Sequence, residues 1–328
     1  MEGARRGRDR RNMKKIVVIG EILVEIMADT PGDGFLEPIA LTGPFPSGAP
    51  AIFVDQAARV GQPCAIVSAV GNDDFGRLNI NRLAADGVDV SSVRIDPDRP
   101  TGSAFVRYRR DGSRDFVYNI RHSACGSFVA TEAGQAVLAA ADHFHVMGSS
   151  FSSPEFRAVN LDVVRAVKAR GGTVSFDPNL RKEILGAPEI REAMAEMLSL
   201  TDLFLPSGDE LMLLTKAKEP DAAIVELLGH GICGIVHKQG AKGVAYHNSA
   251  QNLFVPAFIV KEIDPTGAGD CFGGTFTALW LRGTDIEEAL TLAAAAGALA
   301  VTQRGPMEGA SDLDTLRRFA ASQPRVSA

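Results

Sequence analysis

The chain has 328 residues, 45% hydrophobic and 23% charged, which supports a large buried core and excludes the low-hydrophobicity, high-charge signature of disorder. Its formal net charge of −6 conceals an asymmetry, since residues 1–12 carry +3 and leave −9 for the rest; so acidic a body is a poor general polyanion binder. The longest apolar run, around Leu290 to Val301, falls short of the roughly 20 residues a membrane helix needs, so neither nucleic acid nor a membrane is an expected partner.

In chain order, the Arg-rich start (Arg5, Arg6, Arg8, Arg10, Arg11) lacks the apolar region of a signal peptide. It reads as a disordered basic tail over 1–12, with Met13 a natural alternative start and 13–328 the folded domain. Short runs at Lys15–Gly20, Ala65–Val70, His143–Met147, Thr173–Phe176, Leu203–Leu205 and Ile232–His237 predict buried strands. Between them Ile52–Val60, Phe75–Ala85, Pro154–Arg170, Glu189–Leu200 and Asp221–Leu228 predict helices, with Gly61, Gly87, Gly171 and Gly229 as stops. Alternation of this kind predicts an α/β fold, a central mostly parallel sheet with helices on both faces. Four cysteines (Cys64, Cys125, Cys233, Cys271) stand far apart with no C-x-x-C pair, which suggests neither a zinc site nor a disulfide framework and predicts a reduced, cytoplasmic protein.

Two stretches break the rhythm. Ile22–Leu41 and Gly102–Ile120 are strand-like, the second with a turn at Asp111-Gly112, and both read as antiparallel. They predict a small β-sheet lid built from about 22–45 and 100–122, over a site in the crevice at the carboxyl ends of the parallel strands. His143 and His145 alternate on one strand; without a third ligand they read as packed strand residues.

The strongest chemical signal is Asp264-Pro265-Thr266-Gly267-Ala268-Gly269-Asp270, after a strand-like run (Phe258–Ile263) and opening an apolar helix, Cys271–Leu281. Small residues let backbone N–H groups crowd around an anion, and the helix start adds partial positive charge. A carboxylate inside such a turn either caps the helix or accepts a proton from an attacking hydroxyl; the residues alone leave both open.

The whole segment resembles the second signature of the ribokinase-like (PfkB-type) carbohydrate kinases, and the resemblance runs from about Lys14 to about Gly309. It implies a ribokinase-like fold and an ATP-dependent sugar kinase, with Asp270 as catalytic base and the amides of Gly267, Ala268, Gly269 and Asp270 as the anion hole for the γ-phosphate. Thr275 stands where the family usually has Ala or Gly. Within the same resemblance, Glu25 at the end of the first strand-and-turn (Gly20-Glu21-Ile22-Leu23-Val24-Glu25) contacts sugar hydroxyls. Ser47-Gly48-Ala49-Pro50-Ala51 is similar to the first glycine-rich motif, whose Gly48 brings backbone close to the sugar, while Ile52 replaces the usual Asn. Asp177-Pro178-Asn179-Leu180-Arg181 resembles a strand-end motif whose Arg181 reaches toward substrate. Ser207-Gly208-Asp209-Glu210 matches an Asn-x-x-Glu motif with Ser207 in place of Asn, and implies that Glu210 governs magnesium through bound water. Lys238-Gln239-Gly240-Ala241-Lys242-Gly243 resembles the turn beside the nucleotide, with Lys238, Gly240 and Gly243 at ATP. Residues 294–305 resemble the helix and turn flanking adenine, near which relatives sometimes hold a monovalent cation; no ligands for one are assigned. Relatives with a β-lid often pair lids into homodimers.

Arg107 and Arg109 share one face of a lid strand by two-residue periodicity, and guanidinium groups bind carboxylates bidentately. Together with the first strand and Gln303-Arg304-Gly305-Pro306, they resemble the pattern of 2-keto-3-deoxygluconate kinases, which makes a sugar acid the expected substrate. The alternatives are tagatose or another ketohexose and, from another class, a sugar-sensing regulator without catalysis.

Overall fold

The computed structural model describes residues 13–151, 153–179 and 188–327; the basic tail at 1–12 and Arg181 lie outside these. The strands are β1 (Ile16–Ile19), β2 (Leu23–Ala28), β3 (Leu41–Ser47), β4 (Cys64–Gly71), β5 (Val93–Asp96), β6 (Gly102–Tyr108), β7 (Arg114–Asn119), β8 (His143–Met147), β9 (Thr173–Asp177), β10 (Leu203–Phe204), β11 (Gly234–Lys238), β12 (Gly243–His247) and β13 (Asn252–Pro256). The helices are α1 (Ala49–Arg59), α2 (Asp74–Asp86), α3 (Glu132–Ala139), α4 (Pro154–Ala169), α5 (Pro188–Ser199), α6 (Glu210–Leu213), α7 (Pro220–Gly229), α8 (Ala268–Leu281), α9 (Ile286–Ala300) and α10 (Leu313–Ser322).

Nine strands form the large sheet in the order β13-β12-β11-β10-β9-β8-β1-β4-β5. From β5 to β11 the neighbours are parallel. The central strands explain why: all four residues of β1 and all five of β8 are buried, as strands covered on both faces must be. One apolar core on one face joins α1, α8, α9 and α10 to the sheet, and a second on the other gathers Val164, Phe176, Met194 and Leu227. His143 and His145 belong to this packing. The first bonds Thr173 and Ser175 through its ring nitrogens, the second stacks on Phe53 at 3.6 Å, and burial pushes the His143 imidazole down to about 3.

Local chemistry sets the element ends. Ser153 caps α4 by accepting from the Phe156 amide at 3.2 Å, with Pro154 in the first turn. Gly87 ends α2 in the left-handed region at φ 97°. The stop expected at Gly229 falls two residues later, because Gly229 is still helical and the positive φ, 94°, belongs to Gly231. The run Phe258–Ile263 forms no strand: its amides at Ile259 and Ile263 donate to Pro324 O and Val301 O, so its backbone is satisfied by the chain's later segments instead of by a ladder. The strand before the anion motif is β13, paired antiparallel with β12 at the sheet's edge.

The small sheet has the order β3-β2-β6-β7. Both hairpin-like pairs are antiparallel, whereas β2 and β6 run parallel, a pairing that needs a long crossover; the stretch between them passes through the body. Strand character also does not continue from Ile22 to Leu41. Residues 29–40 form a loop rich in Gly, Pro and Asp, turn residues that break a ladder.

Candidate active site

The large sheet winds outward in both directions from β1 and β8, and the carboxyl ends of its central strands form a crevice, the expected place for a ligand. There β1 leads to Glu21 and β8 to Ser149, whose hydroxyl donates to Glu21 Oε1 at 2.9 Å. Next along the sheet, β9 ends in Asp177 and β11 in Lys238, and these two form a close ion pair.

The loop 264–270 closes over this row. Gly267 holds φ 79° as the N-cap of α8, and a side chain there would stand 2.3 Å from Pro306 O, so glycine is required both by conformation and by close approach. The amides that follow open the helix and point their partial positive charge into the crevice. Asp270 sits in this first turn. Burial and the charges of Asp177 and Glu21 push its carboxyl up to about 8, against the pull of Lys238. Lys238 remains charged despite its burial, held above its usual range by Asp177, Glu210 and Asp270. Its ammonium is 3.7 Å from the Cβ position of Gly269, so one cation overlooks the helix start.

Beside it lies a cleft of about 660 Å³ lined by Ser207, Asp209, Lys238, Gln239, Gly240, Lys242 and Gly269. Glu210 opens α6 at its margin and accepts from the Ser207 amide at 2.7 Å. The predicted nucleotide residues Lys238 and Gly240 are therefore brought together. Gly243 is not among the lining residues: at φ 133° its missing side chain would meet Val255 O at 2.3 Å, and its role is to start β12. Among the described residues no group of three or more acidic, histidine or cysteine side chains could alone hold a metal ion. The set near Glu210 fits magnesium carried largely by water and phosphate oxygens.

On the opposite side of Asp270, β2 brings down Glu25, 5% exposed, with Oε2 lacking a hydrogen-bond partner. Burial and the neighbouring Asp264 and Asp270 push it up to about 8, tempered by Arg114. Gly48, at φ 113°, has its Cβ position 2.4 Å from Glu21 O and lets the turn close. Ile52 is buried, its Cγ2 3.3 Å from the Cβ position of Gly267, so it packs under the anion loop.

The lid arginines are not part of this assembly. Registers pair Glu25 with Ala104 and Met27 with Val106, so the even-numbered residues of β6 share the face of Glu25, and Arg107 points the other way. It is buried against the 30–37 loop, bonding Thr30 O, Gly34 O and Glu37; Arg109 is paired with Asp115. The side chains turned to the site are Tyr108 and its cross-strand partner Arg114, bonded to Thr266 Oγ1 at 3.3 Å each. The signal that finds them is the apolar parity of Ala104 and Val106, which marks the face toward the body; counting charged residues selects the wrong face.

A helix start primed for anions, a raised carboxyl beside a lysine, a nucleotide-sized cleft and a β-sheet over a second carboxylate agree with the comparisons. Residues 13–313 match the model described as pfkB family carbohydrate kinase. The chain is 32% identical to the 2-dehydro-3-deoxygluconokinase of Thermoproteus tenax over 305 residues, 90% of this chain and 91% of that one. It is 30% identical to the probable fructokinase-5 of Arabidopsis thaliana, over 90% of this chain and 93% of that one. An E. coli protein designated Ribokinase II, solved with ATP and Mg2+, superposes with a TM-score of 0.90 at 48% identity, covering 94% of this chain and 99% of that one. A crevice built in this way along nearly the whole chain identifies it as a member of the pfkB family of carbohydrate kinases.

Proposed function

We propose that the protein transfers the γ-phosphate of ATP to a hydroxyl of a sugar acid, 2-dehydro-3-deoxygluconate, with Asp270 as general base. The observation that carries the catalytic part is the position of Asp270 in the first turn of α8, its carboxyl raised to about 8 within reach of Lys238. ATP occupies the cleft beside Lys238 and Gly240, its γ-phosphate toward the amides of Gly267, Ala268 and Gly269. The acceptor lies between Glu25 and Asp270. Asp270 removes the hydroxyl proton as the oxygen–phosphorus bond forms and the bond to ADP breaks. The helix-start amides and Lys238 meet the charge on the transferring group where water is excluded. Glu210 would hold magnesium through bound water, and the ion would supply charge neutralisation at the phosphate oxygens.

Arg114 is the cation on the site face that supports the sugar-acid reading, whereas Arg107 and Arg109 are engaged elsewhere. The similarity to the Thermoproteus enzyme supports it. A neutral ketohexose is the second reading, favoured by the buried Glu25 carboxyl, whose Oε2 has no hydrogen-bond partner and can meet a sugar hydroxyl, and by the similarity to fructokinases. A MgATP-coupled assay against 2-keto-3-deoxygluconate, tagatose, fructose, ribose and adenosine, run beside Arg114→Ala, separates the two. Preference for the sugar acid, with its KM raised at least tenfold in the variant, is expected. A preference for fructose or tagatose that survives the substitution would overturn the sugar-acid assignment and leave the kinase chemistry standing.

A further inference from the structure

Asp264 heads the anion loop and is 1% exposed, yet its carboxylate is fully engaged. Oδ1 accepts from the Thr266 amide at 3.0 Å, two residues into the same turn. Oδ2 accepts from the Gly305 amide at 3.0 Å, in the turn whose next residue, Pro306, presents the carbonyl against which Gly267 packs. The third bond crosses from the small sheet: the Tyr108 hydroxyl donates to Oδ1 at 2.5 Å and lies 3.3 Å from Thr266 Oγ1. One carboxylate thus joins the lid, the start of the anion loop and the turn behind it. Burial and the Asp264 charge hold the Tyr108 phenol well above its usual range, so it is a donor at every working pH.

We propose that Tyr108 is a positioning residue for phosphoryl transfer: its hydrogen bond to Asp264 fastens the lid to the anion loop and so fixes the amides of Gly267, Ala268 and Gly269 in the geometry that receives the transferring phosphoryl group. The inference rests on the reading of that loop as the anion hole. Tyr108 acts through Asp264 and not on the sugar. Because the bond's other end is the loop and not the nucleotide cleft, its loss alters the transition state more than the binding of either substrate.

Tyr108→Phe removes the hydroxyl and keeps the ring. With the preferred sugar, kcat is expected to fall about tenfold, while the KM values for sugar and for MgATP each stay within about twofold and the thermal midpoint is unchanged. A rise confined to the sugar KM would make Tyr108 a substrate contact and overturn the proposal. So would an unchanged kcat, or a loss of activity that follows a lowered thermal midpoint. Wild-type protein inactive toward every sugar would instead sink the site assignment itself, so the two failures are distinguishable.

Discussion

At the scale of single residues the site is an arrangement of carboxylates whose environments set their charge. Asp270→Asn is expected to leave the cleft beside Lys238 intact and to remove the proposed proton acceptor; kcat should fall by roughly 10² to 10⁴ with MgATP affinity preserved, as measured by turnover and by calorimetric titration. In the wild type, kcat/KM should climb as pH rises toward about 8, where Asp270 loses its proton, and flatten above. Glu25 supplies a stability test of the opposite sense. Its folded carboxyl, raised to about 8, binds a proton that the unfolded chain releases near the usual 4.5, so its contribution to stability is full below that value and is lost as pH rises through about 8. Glu25→Gln should therefore raise the thermal midpoint relative to wild type more at pH 9 than at pH 5. An equal shift at both would show that Glu25 titrates normally.

At the scale of elements, α8 opens from the 264–270 turn and α9 packs behind it. Asp285 caps α9 by accepting from the Glu287 and Glu288 amides. Asp285→Ala is expected to cost about 1 kcal/mol in urea unfolding, without moving KM for either substrate. Most of these elements were legible in sequence, because a central strand such as Ile16–Ile19 is a continuous β-branched run and several helices are followed by glycine stops. The local geometry of the candidate site was legible where backbone conformation decides it, as at Gly48 and Gly267, whose positive φ and close approach require glycine. It was harder to read where sheet parity decides: Arg107 and Arg109 follow the same two-residue period as Tyr108, only the apolar Ala104 and Val106 mark the Tyr108 set in sequence, and pairing with β2 shows that this set faces Glu25. Gly243 does not line the cleft, and a glycine near a nucleotide turn and a glycine required by a neighbouring strand look alike in one dimension. The β12–β13 hairpin is short and edge-placed, with Phe254 exposed, so it carries little periodic signal.

At the scale of the whole molecule, the two cores hold the row of strand ends that supplies Glu21, Asp177 and Lys238. Phe176, fully buried one residue before Asp177, contacts Phe151 and Phe204. Its replacement by Ala should cost about 3–5 kcal/mol in denaturant unfolding and lower catalysis indirectly by loosening the base of Asp177. MgATP at about 100 times its Kd should restore roughly 2.7 kcal/mol to either protein.

On the proposed reading, the side chains that meet the acceptor and the group that takes its proton come from separate parts of the chain: Glu25 and Arg114 from the small sheet, Asp270 from a helix start on the large one. Among the bonds that join them are those of Tyr108 and Arg114 to the Asp264–Thr266 segment and those of Arg304 to Met27 O, Ala28 O and Asp29 at the end of β2. Such a division lets acceptor preference drift by replacement of side chains on the lid's inner face while the phosphoryl-transfer apparatus is inherited unchanged. It is compatible with a chain that is 32% identical to a 2-dehydro-3-deoxygluconokinase and 30% identical to a probable fructokinase: exchanging the lid's inner face alone should then move acceptor preference and leave the transfer step in place.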